Sequence, residues 1–341
     1  MKVKKLDLVA IVISVLLVHI SLIQRITSWQ GFYYIRWGMA IILFLFLLLN
    51  IKVIVKKDLN LFLLLFIIIF CCCSIYSSYL NRNGNMFHVG VFNVVFFIDT
   101  FGTLKYIKER NKTSICIDTI CIVLGMYCFL NDILMIIFHS QFFGNGKFLL
   151  YSKFLVAYLH MVLIVLYASK NNKKNKFLFA LWCLTIFICI YMECSTGIQG
   201  TVIMLILYLL PENFLLVFKN QFVAIATMIG CSVLLILKNA IINIPVVQYL
   251  IISQYEAAPD AQNGLIDWLI SYGSIGTVVL LIIVFLCFVK AKKNYNLCLM
   301  GMLYVFFILG SVEIVFDIIF FFVLASYVYL ECPEKFCENK K

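Results

Sequence analysis

The stretch LFLLLFIIIFCCCSIYSSYL, Leu61 to Leu80, runs for 20 residues without a charge, a proline or a glycine. At about 1.5 Å of rise per residue it would be roughly 30 Å long as a helix, which matches the hydrocarbon core of a bilayer. Lipid offers no partner to backbone N–H and C=O groups, so such a run must bond within itself. Its polarity also lacks the alternation of a barrel strand. The spacing therefore predicts a transmembrane helix. Cys71, Cys72 and Cys73 within it read as small apolar packing residues.

The same pattern fills the chain outward in both directions. Of 341 residues, 64% are hydrophobic and only 13% charged, and the mean hydropathy is +1.06, far beyond what a soluble core of this size requires. About twelve candidate spans follow, at 7 to 24, 37 to 55, 61 to 80, 86 to 104, 114 to 138, 153 to 169, 177 to 194, 197 to 217, 221 to 237, 273 to 289, 295 to 309 and 310 to 330; Pro211 and Glu212 cut the eighth. The first run continues directly into this pattern, so it is expected to be a span, not a cleaved signal peptide. The fold expected is an all-α, polytopic integral membrane protein, with residues 1–341 forming one transmembrane domain.

Basic residues orient the bundle. With the N-terminus cytoplasmic, 21 of the 27 Lys and Arg residues fall on one side, and Arg25, Arg36, Arg82, Lys147, Lys153 and Lys238 on the other. Cytoplasmic loops carry the excess of positive charge, so both termini are expected to face the cytoplasm. The net charge of +11 is dispersed over many short loops. That distribution suits anionic membrane lipids as partners and excludes a nucleic-acid-binding stripe. The cytoplasmic loops hold no G-x-x-x-x-G-K, no G-x-G-x-x-G at a strand end and no D-x-D pair, and so give a nucleotide no seat. Of the 14 cysteines, most lie within spans, and Cys332 and Cys337 lack His partners for a zinc site.

Polar chemistry collects on the outer side. His19, His88, His139 and His160 fall in the outer halves of their spans, as do Glu193, Glu256, Asp260, Asp267, Glu313 and Asp317. The longest outer segment is 238–272. Pro259 followed by Asp260 reads as a helix start, with Asp260 as N-cap and Gln262 and Asn263 in the first turn. Unbroken to Lys290, that helix would extend about 45 Å, well past the hydrocarbon. Asn263, Asp267 and Ser271 recur every fourth residue as a polar stripe, and Gly273, Gly276 and Thr277 form a seam for close helix approach. Ser195 and Thr196 are expected to cap the eighth stretch.

Four segments carry a resemblance. DAQNGLIDWLISYGSIG (Asp260–Gly276), YSKFLVAYLHM (Tyr151–Met161), STGIQG (Ser195–Gly200) and GSVEIVF (Gly310–Phe316) resemble, in order and on one face, segments of the O-antigen and capsular polysaccharide polymerases, the Wzy-like family related to O-antigen ligases. Two positions depart from the family's pattern: Gln262 stands where many members have His, and the Arg of S-R-T-G has no counterpart among Ser195, Thr196 and Gly197. No role is carried over at either position.

The resemblance implies a C-type glycosyltransferase-like bundle in the plasma membrane of a bacterium. It also implies a metal-independent reaction without cofactors that transfers a growing glycan from undecaprenyl pyrophosphate to a hydroxyl of the next lipid-linked repeat unit. Implied partners are the undecaprenyl-pyrophosphate-linked oligosaccharides, a flippase and a chain-length regulator. Such chemistry needs a cation for the departing pyrophosphate, a base for the acceptor proton, and groups that orient sugars. Lys153 is the first candidate for the pyrophosphate, followed by Arg36 and Arg82; lipid snorkelling is the alternative for each. His160, two turns beyond Lys153 on the same face, is a candidate base or a buried histidine paired with a neighbouring helix. Glu313 and Asp317, four apart on the last span, are a second candidate acid–base pair. Asp260, Gln262 and Asn263 are assigned to sugar contact. A lipid-linked oligosaccharide flippase and an O-antigen-type ligase are the competing readings.

Overall fold

The computed structural model describes residues 5–22, 30–55, 61–80, 86–138, 150, 152–170, 176–242, 264–291, 296–311 and 316–330. Every regular element among them is helical. The longer helices are α1 (Lys5–Leu22), α2 (Gln30–Leu49), α3 (Leu61–Leu80), α4 (Met86–Glu109), α5 (Thr113–Phe138), α6 (Lys153–Lys170), α7 (Lys176–Tyr191), α8 (Ser195–Leu209), α9 (Gln221–Ile242), α10 (Gly264–Ala291), α11 (Leu297–Leu309) and α12 (Ile318–Tyr329). Each of the predicted apolar stretches overlaps one of them. Five are long and apolar enough to cross a membrane: Lys5–Leu22, Gly31–Leu49, Thr113–Ile137, Lys153–Lys170 and Tyr272–Ala291. Six shorter apolar runs of 10–17 residues follow, among them Leu63–Ser77 within α3 and Gln221–Val233 within α9. The large apolar side chains Leu49, Met126, Phe129 and Phe179 are mostly exposed. Exposure on this scale over several faces suits lipid and not water, and the chain is a membrane-embedded helical protein.

The bundle is centred on α6, α11 and α12, whose residues are buried almost without interruption. Tyr158 of α6 meets Phe306 of α11 edge-on. Aromatic rings join α12 to α3, α4 and α10: Phe321 packs on Phe70, Phe97 and Trp268. Trp268 is fully buried and its indole N–H donates to the Phe316 carbonyl at 2.9 Å, which satisfies the ring's one polar atom.

Several boundaries differ from expectation, those of α2, α4, α8, α10 and α12 among them. α4 continues past 104 to Glu109, where a Lys105–Glu109 ion pair one turn apart supports the last turn. It ends in a Schellman turn, with Asn111 left-handed at φ 54 and Lys112 N donating to Ile107 O at 3.0 Å. The last helix begins at Ile318 instead of 310. α10 is broken where an unbroken run was expected: Gly273 adopts φ 71, ψ 174, a conformation open essentially to glycine alone. Of the expected small-residue seam, Gly276 meets a neighbouring helix, while nothing lies within 4 Å of a Cβ on Gly273. A Cβ built on Gly276 would lie 3.5 Å from Cys73 Cβ of α3.

Candidate functional site

Two helices that pack side by side, α5 and α6, each bury polar side chains near one common end. On α5 these are Asn131 and Asp132, at 0% and 5% exposure; on α6 it is His160, at 2%. His160 Nε2 lies 3.3 Å from Asp132 Oδ1 and 3.2 Å from Oδ2. An ionised carboxylate only accepts, so Nε2 carries the hydrogen and Nδ1 is the ring nitrogen able to take a proton. Asn131 Nδ2 donates to Asp132 Oδ1 at 3.4 Å, and Asn131 Oδ1 accepts from Leu150 N at 3.3 Å. The approach to α6 is thus tied back to the carboxylate's neighbour. His160 stands seven residues into α6, roughly 10 Å from its start.

The surroundings are closely packed. A Cβ on Gly197 would lie 2.8 Å from Ala157 Cβ and 2.9 Å from Cys189 Sγ. One on Gly200 would lie 2.8 Å from Leu309 Cδ1 and 3.2 Å from Met161 Sδ. The glycines of STGIQG therefore let α8 approach α6 and α11 on the residues that flank His160. The capping role expected of Ser195 and Thr196 is corrected: Cys194 is the N-cap, with no side-chain cap bond, and Ser195 already lies in the helix.

Lys153 opens α6, and its Nζ donates to the Glu193 carbonyl at 3.1 Å. Glu193 is left-handed, at φ 53, in the Schellman turn that ends α7, where Cys194 N donates to Cys189 O at 2.9 Å. Lys153 and His160 share a helix but not a partner, since one reaches the α7–α8 turn and the other α5.

Arg36 differs from expectation. It is buried at 6% exposure, its Nε donates to Ile20 O at 2.7 Å, and its guanidinium lies 3.8 Å above the Phe92 ring. Ile20 lies in the last turn of α1, where carbonyls lack helical partners, so the arginine ties α1, α2 and α4 together instead of facing a headgroup. The expected Glu313–Asp317 pair on one helical face is also corrected. Asp317 precedes the helix in extended conformation and caps α12, with Oδ1 accepting from Ile319 N at 2.9 Å. Glu313, Arg82, Asp260, Gln262 and Asn263 lie outside the described residues.

Sequence reasoning passed over two buried acids. Asp132 is an acid inside an otherwise apolar stretch, and that interruption was the available signal. Asp99 on α4 is fully buried, and neither of its oxygens has a hydrogen-bond partner among the described residues; Thr103, one turn on, repeats this. A separate small apolar pocket, lined by residues such as Ile164, Trp182, Met204 and Leu297, lies toward the far ends of α6 and α8. No protein-family model, curated protein or solved structure matches the chain.

Proposed function

We propose that this protein polymerises lipid-linked oligosaccharide repeat units into surface or capsular polysaccharide on the outer face of a bacterial plasma membrane. In this reading it is a C-type glycosyltransferase-like bundle, crosses the bilayer twelve times and keeps both termini in the cytoplasm. The acceptor sugar's hydroxyl oxygen bonds to the anomeric carbon of the growing glycan, and the bond from that carbon to undecaprenyl pyrophosphate breaks. The hydroxyl proton passes to His160 Nδ1, and Asp132 holds the ring and offsets the imidazolium charge. Lys153, at the mouth of the same helix, faces the departing pyrophosphate.

The observation that carries this reading is the buried His160–Asp132 pair near one end of α5 and α6. An ionisable pair at such depth is disfavoured unless it serves a polar pathway. At 2% exposure the imidazole is closed off, so the reaction requires the ends of α5 and α6 to part for the acceptor. The order of the four family-like segments supports the same assignment.

The test is a glycan ladder from cells expressing the full chain. Asp132→Asn and His160→Gln, at wild-type membrane levels, should each abolish multi-unit material and leave single units. Lys153→Ala and Gln262→Ala should do the same if these residues hold the lipid diphosphate and the sugar. Normal ladders from both the Asp132 and the His160 variants would end the proposal.

A flippase is the second reading; the break at Gly273 falls at the edge of the Tyr272–Ala291 span, whereas the broken helices of transporters part near the bilayer midplane. Here a glycine and not a proline supplies the break. Vesicles carrying the purified protein and a labelled lipid-linked unit separate the two: lengthening on one face supports the polymerase, and movement across the membrane without lengthening supports the flippase.

A further inference from the structure

The turn that joins α7 to α8 brings two cysteines together. Cys189 and Cys194 are both fully buried, and Cys194 N donates to Cys189 O at 2.9 Å. Standard bond lengths added to that distance limit the two Cα atoms to about 6.8 Å apart at most. A disulfide spans roughly 4.4–6.8 Å between Cα atoms, so the backbone already stands within its reach. The side chains also point the same way. A Cβ built on Gly197 would lie 2.9 Å from Cys189 Sγ and 3.1 Å from Cys194 Sγ, so both sulfurs border one point where the turn meets α8.

A Schellman turn ordinarily carries an apolar contact between these two positions. Here the contact is made by the one pair of side chains that can also be joined. The segment matters to the rest of the bundle. A bond between the two sulfurs encloses Glu193, whose carbonyl accepts from Lys153, and Gly197, just beyond it, packs on Ala157 of α6. In the orientation proposed above, this end of α7 faces the oxidising side of the membrane, where thiol pairs become disulfides.

We propose that Cys189 and Cys194 are joined by a disulfide in the mature protein, a covalent clasp on the turn that seats Lys153. The Sγ–Sγ bond forms as two S–H bonds break. Two protons and two electrons leave, and the disulfide of a thiol–disulfide oxidoreductase takes them up and becomes a dithiol. Both sulfurs are closed off in the folded chain, so the bond is made before α8 seals against α6. The clasp rests on the outward orientation of this turn and not on the glycan chemistry proposed for His160.

The full chain, taken from membranes straight into denaturant with iodoacetamide and no reductant, tests it. Trypsin then releases residues 177–219, which hold Cys183, Cys189 and Cys194. The wild-type peptide should carry one alkyl group, on the exposed Cys183, and be two hydrogens lighter for the linked pair. Reduced beforehand, it should carry three. Without reduction, Cys194→Ser should carry two and show no missing hydrogens. Reductant should also lower the Tm of the folded wild type and leave that of Cys189→Ser and Cys194→Ser unchanged. Three alkyl groups on the unreduced wild-type peptide, or missing hydrogens that persist in Cys194→Ser, overturn the proposal. Alkaline phosphatase fused after Ser152, at the same end of the bundle, separates the two ways to fail. Thiols in cells with an active fusion show that the pair does not close; thiols in cells with an inactive one show that the orientation is reversed.

Discussion

Asp132 holds both sides of a buried contact, with the imidazole of His160 on one and the amide of Asn131 on the other. Breaking a buried pair from one side leaves the other group unmatched, which costs about 3–5 kcal/mol in comparable settings. Asp132→Asn should therefore lower thermal stability, and His160→Gln added to it should cost much less than His160→Gln alone. A double-mutant cycle by thermal unfolding measures this; strict additivity would show that the two side chains are energetically independent. Glu193 offers the opposite sign. Its φ of 53 costs a residue with a Cβ roughly 1–2 kcal/mol, while its carbonyl, the group that Lys153 uses, survives any side-chain change. Glu193→Gly should raise the unfolding midpoint and leave Lys153 bonded as before.

Between helices, small side chains set the spacing. Gly197 and Gly200 stand where a Cβ would lie under 3 Å from Ala157 and Leu309 respectively. Gly197→Val should force α8 away from α6 at a cost of about 1–3 kcal/mol, seen as a lowered Tm, with Gly197→Ala intermediate. Gly38 and Gly230, with nothing within 4 Å of a Cβ, should tolerate alanine. Gly273 works through backbone instead of space. Nothing crowds its Cβ position, but its φ of 71 strains any other residue, so Gly273→Ala should destabilise by about 1–3 kcal/mol despite the open room. If that variant unfolds at the wild-type temperature, the break in α10 is not held by this residue.

Across the whole molecule, Asp132 and the basic Arg110–Lys112 turn lie toward opposite ends of α5. Its first turn follows the Arg110–Lys112 turn, and Asp132 sits 19 residues beyond Thr113, about 28 Å away. The proposed orientation puts the Arg110–Lys112 turn in the cytoplasm and His160 near the outer face. Alkaline phosphatase fused after Ser152 should then be active, and fused after Lys112 inactive; the reverse pattern would invert the topology and remove the outer-face polymerase with it.

What the amino-acid order determined by itself is where helices form and that they belong in lipid. Apolar runs such as Leu61–Leu80 are local features, and lipid leaves their backbone no alternative to a helix. His160 was legible as a candidate because a titratable ring in an apolar run stands out, and Gly276 because small residues recur at helical spacing. Partners were decided only by tertiary packing. Asp132 lies 28 residues before His160, and no local pattern links them. Arg36 read as a headgroup cation until Phe92 and the Ile20 carbonyl enclosed it, and Asp317 read as half of an acidic pair until the helix started one residue after it. A charged side chain's role depends on what the fold places within a few ångströms of it, and in a bundle those neighbours come from other helices, far away along the chain.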